Sequence, residues 1–146
     1  MIDLTADALV RDCQDELVAR QQFAAAQAAS GYTVWKSYDE PGGYRDQLTT
    51  IARDYPGVTK LVKLGTTYQG RDILALKMTQ GARGQKDGSR PAAIFSATQH
   101  AREWIAPEMV RRLMYSYLDR WEADDEPTKK LLQSTELWFV PVMNPD

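Results

Sequence analysis

Within residues 90–108, RPAAIFSATQHAREWIAPE, His100 and Glu103 stand three positions apart. A neutral imidazole nitrogen and a carboxylate oxygen at that spacing can turn to one side together and hold a zinc ion. The pair follows an apolar run at residues 92–95, Ala-Ala-Ile-Phe, in which both alternating faces are non-polar. That is the pattern of a strand buried on both sides of a sheet. Behind the pair, Pro107 fits the first position of a helix, and Glu108 falls in its first turn, where the helix dipole favours negative charge. The two donors therefore lie at the exit of a strand and just before a helix, where open α/β sheets place their binding sites. A bare H-x-x-E also arises by chance, and its other reading is a polar loop with a surface ion pair.

The elements that must position this pair are legible on either side of it. Tyr44, Leu48, Ile51 and Tyr55 recur at helical spacing after Asp39 and Pro41, with Gly42-Gly43 weakening the first turn and Pro56-Gly57 as the stop. Strand patterns follow at residues 59–66 and 72–79 across a turn at Gln69-Gly70, and Leu74, Leu76 and Met78 share one face. Residues 80–89, QGARGQKDGS, predict an exposed loop without the spacing of a phosphate-cradling motif. After the pair, Val110, Leu113, Met114, Tyr117, Leu118 and Trp121 form a wide apolar helical stripe. Arg111, Arg112 and Arg120 fall outside it on what reads as a solvated face, with Glu108 four positions before Arg112. A short helix at residues 127–133 and a buried strand at residues 136–143 complete the order. Alternating strands and helices predict an α/β domain with a sheet covered by helices. Upstream, residues 5–30 have a helical rhythm (Val10, Cys13, Leu17, Ala24, Ala28) that Gly31 can cap, and residues 32–38 read as an extended aromatic connector.

The residues around the pair carry more than spacing. His100-Ala101-Arg102-Glu103-Trp104, between strand and helix, resembles the zinc signature of the metallocarboxypeptidases of the carboxypeptidase A type, peptidase family M14. Residues 63–71, KLGTTYQGR, resemble that family's early turn with its Gly-Arg ending. Residues 140–146, VPVMNPD, resemble the later strand that runs into Asn-Pro-Asp. The resemblance covers roughly residues 38–146, in the family's order. It implies a mixed, mostly parallel eight-stranded sheet covered by helices, of which this chain supplies about the first four strands.

The same resemblance implies hydrolysis of the C-terminal peptide bond of peptides or proteins with one Zn2+. His100 and Glu103 would be metal ligands and Arg102 would face the substrate. Trp104 reads as packing, and Asn144 and Asp146 as structural residues at a strand end. A site of that type takes two histidines, one glutamate and a water, and this chain has one histidine. The third ligand, the general-base glutamate, the arginines that clamp the terminal carboxylate and the specificity pocket are therefore expected beyond Asp146. On that reading residues 32–146 are the N-terminal part of the catalytic domain, inactive alone. Residues 1–31 are an N-terminal helix, either the end of a pro-segment or preceding domain or an extra surface helix. Two other readings stand beside it: a zinc-binding, non-catalytic relative that serves as a peptide-binding module, and a complete small α/β protein whose motif is vestigial.

Composition narrows the classes further. With 43% hydrophobic and 26% charged residues the chain is ordinary for a globular protein, and a net charge of −2 speaks against nucleic acid or a polybasic membrane role. No apolar run approaches the ~20 residues of a membrane span. The family resemblance suggests secretion of the full-length protein, although residues 1–5 lack a signal-peptide pattern. Cys13 is the only cysteine, so no disulfide framework exists within the chain.

Overall fold

A computed structural model describes residues 36–146, together with Gln14 and Val18, which are helical. The expected helix over residues 5–30 and most of the connector after it lie outside the described residues. From Lys36 onward the order is α1 (Tyr44–Asp54), β1 (Thr59–Thr66), β2 (Asp72–Met78), β3 (Ala92–Ser96), α2 (Ile105–Glu122), α3 (Glu126–Ser134) and β4 (Glu136–Val140). Helix α1 begins at Tyr44 because Gly43 closes against the preceding turn: a Cβ there would meet the Ser37 carbonyl at 2.1 Å. Helix α2 begins at Ile105, so Pro107 occupies its third position, still within the turn whose amides have no intrahelical partner. Asp125 caps α3 by accepting from the Thr128 amide at 3.0 Å.

The strands form one mixed sheet in the order β1-β2-β4-β3. β1 and β2 are an antiparallel hairpin, β2 runs antiparallel to β4, and β3 runs parallel to β4. Gly70, at φ 84°, makes the hairpin turn. A bulge between Lys63 and Gly65 leaves Leu64 half exposed. One face of the sheet carries the core. Leu74, Leu76 and Met78 of β2 and Leu137 and Phe139 of β4 pack with Leu48 and Ile51 of α1, Met114 and Leu118 of α2, and Leu132 of α3. Phe95 of β3 stacks on Phe139 with ring centroids 5.2 Å apart.

Strand β3 corrects the expectation of burial on both faces. It is the edge strand of the described sheet, and its exposure alternates, with Ala92, Ile94 and Ser96 outward and Ile94 69% exposed. Its apolar composition fits a two-sided environment, but the described helices pack only on the side that takes Ala93 and Phe95. The loop at residues 80–89 departs from a simple exposed loop. Ala82 is fully buried, the Gly81 amide donates to Gly57 O at 2.9 Å, and Arg83 Nη2 donates to Ala52 O at 2.6 Å.

Candidate metal centre

Strand β3 delivers the chain to the candidate ligands through a segment tied to β4. Past the last register pair, Ser96 with Val140, the Ala97 amide donates to Val140 O at 3.0 Å and the Met143 amide to Ala97 O at 2.8 Å. The Asn144 amide then donates to Thr98 O at 3.0 Å, and the Thr98 hydroxyl donates to Pro141 O at 3.0 Å. Thr98 has φ 55°, in the left-handed region. Two turns follow, closed by Glu103 N to His100 O at 3.2 Å and Ala106 N to Glu103 O at 3.0 Å, and α2 starts.

The first turn brings His100 and Glu103 together. His100 Nδ1 lies 2.7 Å from Glu103 Oε1. The ionised carboxylate only accepts, so Nδ1 is the donor in this pair. Glu103 Oε2 accepts from the Gln99 amide at 2.8 Å and, at longer range, from the His100 amide at 3.4 Å. The His100 hydrogen bond, joined by these two amides, outweighs the opposing desolvation and holds the Glu103 carboxyl below its usual range. Both side chains reach solvent, with 76% of His100 and 36% of Glu103 exposed.

This donor set fits zinc in kind, one imidazole nitrogen and one carboxylate oxygen presented to the same exposed side of a turn. Tetrahedral zinc at its usual bond lengths separates two such donors by about 3.4 Å, so a small opening of the 2.7 Å contact would admit the ion. The pair accounts for two ligands. Among the described residues no group of three His, Cys, Asp or Glu side chains comes together.

Arg102, between the two candidate ligands in sequence, is exposed and in the turn. Trp104 is partly exposed, and its indole nitrogen donates to Ala101 O at 2.8 Å, which braces the turn.

A family model described as "Zinc carboxypeptidase" matches residues 44–146, well over half of the chain. The chain belongs to the zinc carboxypeptidase family. A zinc carboxypeptidase of Saccharothrix mutabilis subsp. capreolus is 33% identical over 135 residues, covering 92% of this chain and 29% of that protein. Zinc carboxypeptidase A 1 of Drosophila melanogaster is 33% identical over 138 residues, covering 93% of this chain and 31% of that one. Among solved structures, the carboxypeptidase A of Helicoverpa armigera superposes with a TM-score of 0.64 at 24% identity, over 91% of this chain and 32% of its own. The chain thus spans about three-tenths of the length of these curated relatives, and the solved structure bears on the fold.

Two further stretches that carried the resemblance to the zinc carboxypeptidases meet in space. Arg71, at the end of the hairpin turn, donates through Nη1 to Pro145 O at 2.7 Å. Asp146 accepts from the Thr67 hydroxyl at 2.7 Å and from the Gln69 amide at 3.1 Å. The Asn-Pro-Asp segment therefore clasps the hairpin with its last residue and, through Asn144, holds Thr98 just before the candidate ligands.

Sequence reasoning missed two features of this unit, the Glu108 network and the backbone of Thr98. Glu108 pairs with Arg111 through Nη2 at 2.7 Å, not with Arg112, and also accepts from the Tyr44 hydroxyl at 2.6 Å, which locks the start of α1 to the first turn of α2. Arg111 is consequently 15% exposed instead of solvated. The left-handed backbone of Thr98 had no signal at all, since threonine is not a residue that announces a positive φ.

Proposed function

We propose that this chain contributes two metal ligands, His100 and Glu103, and a substrate-facing arginine, Arg102, to a zinc carboxypeptidase that hydrolyses the C-terminal peptide bond of peptides and proteins. The observation that supports it is the juxtaposition of His100 Nδ1 and Glu103 Oε1 at 2.7 Å on an exposed turn at the end of β3. Zinc held there would polarise the scissile carbonyl and lower the pKa of a bound water. The chain's own part is to present the donors. Glu103 is held ionised, with the Gln99 amide fixing one oxygen and leaving the other towards His100. Loading would use the neutral His100 tautomer that carries its proton on Nε2, which frees Nδ1 for the metal. Arg102 offers an exposed guanidinium to a carbonyl or carboxylate of the substrate.

The histidine and the general base that such a site still needs come, on this reading, from outside these 146 residues, because the chain has one histidine. On this reading residues 32–146 belong to the catalytic domain, and residues 1–31, nearly all outside the described residues, are the end of a pro-segment or preceding domain or an extra surface helix. With two ligands the chain alone binds zinc weakly and does not turn over. Titration of zinc by calorimetry at neutral pH is expected to show weak binding that disappears in His100→Ala. Binding that is tight and one-to-one, or that survives the substitution, would overturn the assignment. In a protein carrying the remaining segments, Glu103→Ala should abolish both tight zinc and release of C-terminal residues.

A further inference from the structure

The geometry points to Thr98 as the positioning residue of the ligand turn, an inference that rests on the reading of His100 and Glu103 as ligands. A threonine at φ 55° crowds its Cβ against its own backbone, and β-branched residues avoid that region. Such a conformation persists only where the surroundings over-determine it. Here they do so from several sides. The Thr98 hydroxyl donates to Pro141 O, its carbonyl accepts from the Asn144 amide, and the preceding residue is held at both its amide and its carbonyl by Val140 and Met143.

The consequence lies one and two residues further on. A left-handed residue at 98 turns the chain off the line of β3, so that the Gln99 and His100 amides face the Glu103 carboxylate at 2.8 and 3.4 Å. An extended residue at that position would carry the chain onward along the strand. The Gln99 amide would then lose Glu103 Oε2, and the carboxylate would lose the contact that aims its other oxygen at His100 Nδ1. Thr98 itself is half-buried and turned towards Pro141, so it acts only through the backbone it sets. The segment leaving β4 and the candidate ligands are coupled through this one residue.

Glycine adopts a positive φ at no steric cost, whereas valine keeps the branch and loses the hydroxyl. Those two substitutions separate backbone placement from the mere presence of a side chain. His100 is the single histidine, so its ring signals are unambiguous in the whole 146-residue chain. The experiment records its ring nitrogen shifts at one fixed neutral pH, then follows them as zinc is added, with Glu103→Ala as the reference for a broken pair.

Thr98→Gly is expected to keep the wild-type shifts and zinc response. Thr98→Val is expected to move to the Glu103→Ala shifts and to weaken zinc by about tenfold, the lower range for loss of a supporting partner. Thr98→Val with wild-type shifts, Thr98→Gly with those of Glu103→Ala, or a Glu103→Ala spectrum identical to wild type would each overturn the assignment. If Thr98→Val does not fold, Thr98→Ala, which loses the same hydroxyl without the branch, is judged by the same shifts. A wild-type chain that shows the paired shifts but no response to zinc counts against the metal reading alone.

Discussion

Lys77 Nζ lies 3.1 Å from Glu136 Oε1, and neither side chain keeps any exposure. Both belong to neighbouring strands on the sheet face opposite the helices, with Lys77 level with Trp138 in the β2–β4 register and 5.7 Å from its ring centroid. The ammonium also meets Asp87 at 2.9 Å, while Glu136 accepts from the Gly88 amide and the Trp138 indole, each at 3.0 Å. Asp87 and Gly88, at the end of the loop, are thereby fastened across the sheet by charge and hydrogen bonding.

Removing one member of this cluster strands the other. Lys77→Met leaves a buried Glu136 without its cation, and a loss of about 3–5 kcal/mol is expected, the usual cost of breaking a buried pair from one side. Lys77→Met combined with Glu136→Leu should cost clearly less than the sum of the two single changes. Urea unfolding of the four proteins gives the comparison, and additive losses would show that the pair is not coupled.

Acid should act on the same cluster. Burial pushes the Glu136 carboxyl up, but the Gly88 amide, Lys77 and Trp138 together outweigh it and hold it below its ordinary range; Asp87 is lowered by Lys60 and then Lys77. Both groups bind protons less readily folded than unfolded. Their contribution is therefore complete above the unfolded values of about 4.3 and 3.9 and is lost as pH falls through the lower folded values. Unfolding free energy measured from pH 6 to pH 3 should drop steeply at the acid end, and Glu136→Gln should flatten that drop. An unchanged slope in the variant would remove Glu136 from the account.

The clamp between α1 and α2 is testable by one atom. Tyr44→Phe deletes the hydroxyl that donates to Glu108 at 2.6 Å and leaves that oxygen buried with fewer partners. A loss of about 1–3 kcal/mol is expected. Burial first, and then Glu108, push the Tyr44 phenol far above its usual range, so it should stay un-ionised in a spectroscopic titration that ionises exposed tyrosines. A Phe variant as stable as the parent would mean that Arg111 alone satisfies Glu108.

Strand β3 predicts self-association. Among the described residues no strand pairs with its outer edge, which runs beside Ile94, 69% exposed. Edges of that kind pair with other chains unless a charge blunts them. At tens of micromolar the chain should elute from size exclusion above its monomer mass, and Ile94→Lys should return it towards the monomer. A parent that stays monomeric across that range would count against the edge.

The elements that follow local rules were legible in the residues alone. The hairpin strands, the stripes of α1 and α2, the short helix α3 and the H-x-x-E pair before a helix each rest on local pattern, and local pattern survives folding. The clasp of Asp146 on Thr67 and Gln69 joins stretches 79 and 77 positions apart, and no local pattern encodes such a meeting. Lys77 illustrates the same limit. Alternation with Leu76 and Met78 assigns it to the polar face, which would ordinarily be wet, and only the return of β4 and the loop above it bury that face. Ile94 errs the other way, because an apolar residue on an edge strand is covered only if something packs there. The types and spacing of the candidate ligands were thus set by the chain itself. Their mutual orientation was decided by tertiary contacts, since the left-handed Thr98 is stable only against a strand end that arrives more than forty residues later.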